Sequence, residues 1–211
     1  MDRPSGQGTR RRLLEAAAAL IAELGWGRVT TRAVAERAGL PHGAVSYHFQ
    51  GKQALLSEAA LDLVERSFPL KELRAAGSLA EVVSQMRAWA GGPAPVDLLG
   101  RAVLLEAMRE AGRDLMVRAR LAGLLAEYRQ VLADLVRAAQ HRGHAPAGVD
   151  PAALAALLAA AGDGLLLHAM LEPEVDLAGA VEALGGLLHH TGPAGGARQR
   201  GRVAGARGGR R

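Results

Sequence analysis

Apolar residues recur at helical spacing from near the start of the chain. Leu14, Ala17, Ala18, Ile21 and Leu24 share one face and Gly25 follows as a stop, which predicts a helix over about 9–24. Thr30 is placed to cap a second helix ending at Gly39, and Pro41 or His42 opens a third that reaches about Phe49. A fourth, longer pattern starts near Gly51 and runs through QALLSEAALDLVERSF to about Phe68. Beyond Gly77 the periods lengthen, predicting helices over roughly 78–90, 96–111, 113–142, 150–171 and 175–190. The breaks between them, such as GGPAP and EPEVD, are short, as in a compact bundle. No stretch sustains the alternation of a strand, so the fold class is all-α: a three-helix N-terminal unit followed by a helical bundle.

Composition sharpens this picture. The 211 residues are 49% apolar, mainly Ala and Leu, and only 3% aromatic, which suits helices. There is no cysteine, so disulfides and thiol chemistry are excluded. The opening RRRLLEAAAALIAELG imitates a secretory signal, but Glu15 and Glu23 interrupt it on a helical repeat. The apolar run from Pro151 to Gly162 is stopped by Asp163 and is too short to span a bilayer. A cytoplasmic protein with no membrane partner is expected.

Charge is segregated. Residues 1–52 hold eight Lys/Arg against four Asp/Glu, 53–190 hold twelve against seventeen, and 191–211 hold six Arg and no acid. A basic domain on an acidic body points to a polyanion. The division expected is 1–52 for the polyanion-binding unit, 53–190 for a larger helical unit, and 191–211 for a disordered Gly/Arg-rich tail.

Two helices joined by a Gly-containing turn within about 20 residues form the pattern of a helix-turn-helix. On its second helix Val45 and Phe49 are four apart and can face the core together, leaving His42, Ser46, Tyr47 and His48 to face elsewhere. Polar donors on so short a helix are what a helix lying in the major groove presents. Lys52 and the Arg10–Arg12 run lie near helix starts, where a cation opposes the macrodipole unless a phosphate is near. An ordinary solvated face explains the arginine run equally well.

These residues resemble the DNA-binding region of the tetracycline-repressor (TetR) family of bacterial regulators. The match spans residues 9–56: Thr30-Thr31-Arg32 opens the second helix, AERAGL is similar to its end and turn, and VSYHFQGKQALL resembles the recognition helix and the start of the fourth. The resemblance implies phosphate contacts from Thr31 and Lys52, a base-edge contact from Arg32, and entry into the groove at His42, Gly43 and Ala44. Tyr47 and His48 are implied to contact the backbone, Tyr47 with a base-edge alternative. Ser46 stands where the family commonly has Tyr and reaches less far. Pro41 and Gly51 replace common Ser or Asn caps, both compatible with helix starts.

A single helix-turn-helix covers too few bases to be selective, so a homodimer on a palindromic operator of double-stranded DNA is expected. The stripes Leu154, Leu157, Leu158, Ala161 and Leu165, and Leu184, Leu187 and Leu188, are candidates for its interface; burial within the subunit is the competing reading. Met86, Trp89, Met108, Met116 and Tyr128 are candidates to line a pocket for a small, largely apolar effector that releases the DNA. Asp163, in an apolar helix, fits three roles: a ligand contact, a cap at a helix break, or a partner across the interface; His168 shares the ambiguity. His141 with His144, and His189 with His190, lack partners at ligand spacing, so no metal and no cofactor is expected. No convergent acid/base set indicates an enzyme. The alternative function is a ligand-independent architectural DNA-binding protein, which would not require a large apolar domain.

Overall fold

A computed structural model describes residues 6–91, 98–172 and 174–190. Its helices in chain order are α1 (Gly6–Leu24), α2 (Thr31–Arg37), α3 (Gly43–His48), α4 (Lys52–Ser67), α5 (Leu70–Ala75), α6 (Leu79–Gly91), α7 (Leu98–Glu110), α8 (Leu115–His141), α9 (Pro151–Leu171) and α10 (Leu177–His190). Among the described residues there is no strand. Two elements lie outside the sequence expectations: a 3-10 turn over Trp26–Arg28 and the six-residue α5, which follows Pro69. The Arg-rich tail lies outside the described residues.

Local chemistry sets the helix ends. Thr30 Oγ1 accepts the Ala33 N–H at 3.1 Å and caps α2. Gly39 takes φ +62 in the turn between α2 and α3, a conformation that a side chain rarely adopts. Asp114 caps α8 by accepting the N–H groups of Met116 at 2.9 Å and Val117 at 3.2 Å.

The bond from Val117, with that from Met116, holds the Asp114 carboxyl below its ordinary range against the opposing effect of partial burial. A depressed folded pKa contributes stability that is complete above the ordinary carboxylate range and is lost as the pH falls through the folded value. Asp114→Ala therefore lowers stability by about 1 kcal/mol at neutral pH. The difference from wild type shrinks in strong acid as the charge-assisted part of the cap is lost, and urea unfolding at both pH values measures it.

Two apolar cores organise the bundle. The first joins α1, α2, α3 and α4 through Leu13, Ile21, Val34, Val45, Phe49 and Leu55, and it includes Val103, Ala107, Val117 and Leu121 from α7 and α8. The division expected between residues 52 and 53 thus falls on the first turn of α4, a helix that both parts share. The second core gathers Leu73, Leu79, Val82, Leu132, Val136, Leu154, Leu158 and Leu188.

Helix α9 continues through Asp163 to Leu171 and is long and apolar enough to cross a membrane. Here one of its faces packs on α8, with Leu154, Ala155, Leu158, Ala159 and Leu166 buried. Because α9 is apolar on every side, composition could not choose its inner face. The interface stripe expected on α9 and α10 divides accordingly. Leu154 (8% exposed), Leu158 (6%) and Leu188 belong to the subunit's own core, with Leu184 packed against it. Ala161 and Leu165 are half-buried, whereas Leu157 (63% exposed) and Leu187 (67%) face outward.

Candidate nucleic-acid interface and effector cavity

The helix-turn-helix is pinned from inside. Val45 and Phe49 are buried, so α3 has one face fixed against α1 and α2. Arg37 makes a two-pronged pair with Glu23, at 2.8 and 2.7 Å, that ties α2 to α1. That guanidinium holds the Glu23 carboxyl below its usual range. Arg12 donates to the Ala38 and Gly39 carbonyls across the turn, and Arg10 pairs with Glu58 while lying 5.1 Å from the Phe49 ring centre. Arg11 pairs with Glu15 and Arg28 donates to the Leu24 carbonyl at 2.6 Å. The basic run at the start of α1 thus has intramolecular partners, which explains cations placed there without a phosphate.

Among the described residues, Arg32 has no such partner and is exposed in the first turn of α2. The outward face of α3 is exposed as well. Tyr47 is 84% exposed, with its ring edge-on to His48 at 4.9 Å. His42, Gly43 and Ser46 are exposed, and Thr31, Ala44 and His48 are half-buried. Exposing a tyrosine this far in a chain with so few aromatics gives up burial that the core could use. Lys52 donates to the Gly27 carbonyl at 3.0 Å, which holds the 3-10 turn to the start of α4.

The chain's two Trp, two Tyr and two Phe fall in two places. Trp26, Tyr47 and Phe49 belong to the helix-turn-helix, and Phe68, Trp89 and Tyr128 line a cavity in the bundle. That cavity has two lobes, of about 360 and 280 Å3, which share Phe68, Arg101, Asp163 and Leu166. Met86, Trp89 and Tyr128 line the first lobe, and Leu104, Leu105, Met108, Leu167 and Met170 line the second. Phe68 and Tyr128 meet edge to face at 5.2 Å.

Arg101 and Asp163 at the shared wall and Tyr128 in the first lobe influence one another. Asp163 keeps an open side to solvent, yet its carboxyl is half withdrawn, and that burial pushes its pKa up against the pull of Arg101. Burial and the nearby Asp163 raise the Tyr128 hydroxyl, again opposed by Arg101. The site is apolar with a short polar seam, the usual make-up of a small-molecule pocket.

Two expected pocket residues lie elsewhere. Met116 is on the exposed side of the first turn of α8 and lines neither lobe, because Asp114 starts that helix with Val117 inward. His168 also lines neither lobe: it sits on the outer face of α9, its Nδ1 3.6 Å from Glu172. Arg101 and Phe68, both on the wall shared by the two lobes, are among the lining residues that the sequence did not point to. Arg101 shares the α7 face of Leu104, Leu105 and Met108, a periodicity that could have found it.

Helix α7 touches both regions. Its cavity side carries Arg101, Leu104, Leu105 and Met108. Its other side reaches the helix-turn-helix, where Glu106 accepts the Trp26 N–H at 2.8 Å and Glu110 accepts from Gln53 at 2.9 Å. Gln53 in turn accepts the Trp26 ring N–H at 3.4 Å.

Comparison with known proteins agrees with this arrangement. Residues 13–59 match the family described as bacterial regulatory proteins, tetR family, and residues 95–192 match the BetI-type transcriptional repressor C-terminal family. The repressor KstR2 of Mycobacterium tuberculosis is 43% identical over 60 residues, which cover 28% of this chain and 30% of the relative's length. A protein from Saccharomonospora viridis described as a transcriptional regulator, in complex with choline, is 25% identical with a TM-score of 0.72, covering 86% of this chain and 95% of the other. The SmeT–triclosan complex is 26% identical with a TM-score of 0.63, covering 83% and 88%. Matched by family models at its DNA-reading end and through most of its bundle, the chain belongs to the TetR family of DNA-binding transcriptional regulators.

Proposed function

We propose that the protein is a homodimeric repressor that acts in the cytoplasm at the nucleoid and leaves a palindromic operator when a small, largely apolar effector enters the two-lobed cavity. The observation that carries this reading is a helix-turn-helix with Arg32 and Tyr47 exposed, in a domain that α7 ties through Trp26 to an aromatic-lined cavity in the same chain. Arg32 and Tyr47 read base edges, with Tyr47 also placed for the backbone. Thr31, His48 and Lys52 position the phosphates, and His42, Gly43, Ala44 and Ser46 approach the groove wall. A dimer buries the outward apolar stripe of α9 and α10, on which Leu157, Leu167, Leu171 and Leu187 are exposed.

The choline and triclosan complexes of the two structural neighbours support a small-molecule ligand. In this chain the walls take an apolar body, and Asp163, Tyr128 and Arg101 supply one polar contact region. Effector binding lowers DNA affinity by preferring a different placement of α4 and α7, and so of the recognition helices. A ligand-independent architectural role leaves this cavity unused and is disfavoured.

The test fills the cavity. A Cβ at Gly162 meets the Met86 methyl at 3.8 Å, so Gly162→Leu occupies the first lobe. Compounds that stabilise wild type in a thermal-shift screen of apolar molecules are then tried for release of operator DNA. Wild type releases and Gly162→Leu stays bound; equal release by both places the effector elsewhere.

A further inference from the structure

A second hollow lies on the opposite face of α6. The cleft between α6, the C-terminal end of α8 and α10 has a volume of about 620 Å3, larger than either lobe of the effector cavity. Its wall is mostly apolar, built from Leu79, Val83 and Leu188, and α10 comes close to α6 because Gly185 faces Val83. Over this wall stand Arg87 of α6, Arg142 at the end of α8 and His144 just beyond it.

Among the described residues, none of these three side chains has a hydrogen-bond or ion-pair partner. Elsewhere in the bundle Arg66, Arg74, Arg109, Arg120 and Arg137 each hold a carboxylate and Arg118 a carbonyl. Among the described residues Arg113 and Arg129 also lack a side-chain partner, so what sets Arg87 and Arg142 apart is the apolar wall beside them. Glu182 is the one carboxylate in the cleft's lining, and it pairs with neither arginine. Two guanidinium groups and an imidazole beside an apolar wall complement a molecule with an acidic head and a hydrocarbon body.

We propose that this cleft is a second ligand site that takes an amphiphilic anion, with Arg87, Arg142 and His144 receiving the acidic head and Leu79, Val83 and Leu188 the apolar part. The site stands apart from the effector cavity. Helix α6 divides the two, presenting Val82 and Met86 to the cavity and Val83 and Arg87 to the cleft. An occupant that shifts α6 therefore alters the cavity as well. That coupling rests on the function proposed above, whereas binding in the cleft does not.

The test is calorimetry on the full chain with octyl phosphate, octanoate, octanol and inorganic phosphate. At least one octyl anion binds saturably, once per chain, and about tenfold or more tighter than octanol or inorganic phosphate. Tighter binding of octyl phosphate assigns the site to phosphate esters, and of octanoate to fatty acids. Arg87→Gln with Arg142→Gln weakens the anion about tenfold or more and leaves octanol unchanged. Both arginines are exposed, so the variant folds as wild type by circular dichroism. Gly162→Leu, which fills the effector cavity, still binds the anion once per chain, its affinity altered only through α6. Absence of anion binding, octanol binding as tightly as the anions, full affinity in the double variant, or loss in Gly162→Leu would each overturn the proposal.

Discussion

Tyr47→Ala weakens operator binding by roughly tenfold to a hundredfold per half-site and leaves the thermal midpoint unchanged. The two halves of this expectation have separate causes. The Tyr47 ring is 84% exposed and rests only edge-on against His48, so its removal opens no cavity. Alanine is also the best helix former, so α3 itself keeps its shape. What is lost is the reach of the recognition helix into the groove, which Ser46 is too short to replace.

The neighbouring aromatic gives the contrasting case. Phe49 is buried in the first core, and Phe49→Ala costs about 3–5 kcal/mol of folding stability. Fluorescence anisotropy at one fixed salt concentration, beside thermal unfolding, separates the two variants. An unchanged operator affinity for Tyr47→Ala would remove this residue from the interface.

The second large effect concerns assembly. Leu157 and Leu187 lie on the outward faces of α9 and α10, so glutamates there remain solvated in the free subunit and do not disturb either core. A two-fold pairing of these faces would enclose the new carboxylates without cations to match them, at a cost of several kcal/mol. Leu157→Glu with Leu187→Glu therefore yields a folded monomer by light scattering at micromolar concentration. Its operator affinity falls by more than about a hundredfold, since each half-site then binds alone. A dimer that persists would move the interface to another face.

The DNA-reading end was largely legible from residues because its constraints are local. The Thr30 cap, the Gly39 turn and the Val45–Phe49 pair each act within a few positions, and each occurs as the pattern predicts. The arginines at the start of α1 were less readable. Their partners Glu58 and the Ala38 carbonyl come from distant positions, so sequence spacing left a phosphate and a solvated face equally open where the fold supplies its own acceptors.

The bundle was legible in its helix periods and much less in its faces. Alanine and leucine surround α9 on every side, so only tertiary packing turns Leu154 and Leu158 inward and leaves Leu157 outside. Helix α5 escaped notice because six residues after a proline carry too little period to register. Met86, Trp89, Tyr128 and Asp163 do gather around one cavity, whereas Met116 and His168 lie outside it on outward helix faces that residue type and spacing do not distinguish.

The most direct test of the central claim is binding-site selection from fragmented genomic DNA with the purified full-length protein, at two salt concentrations. The account predicts one palindromic motif, with half-sites about one helical turn apart, that persists at the higher salt. Binding that follows salt alone, with no motif recovered, would contradict a dimeric sequence reader.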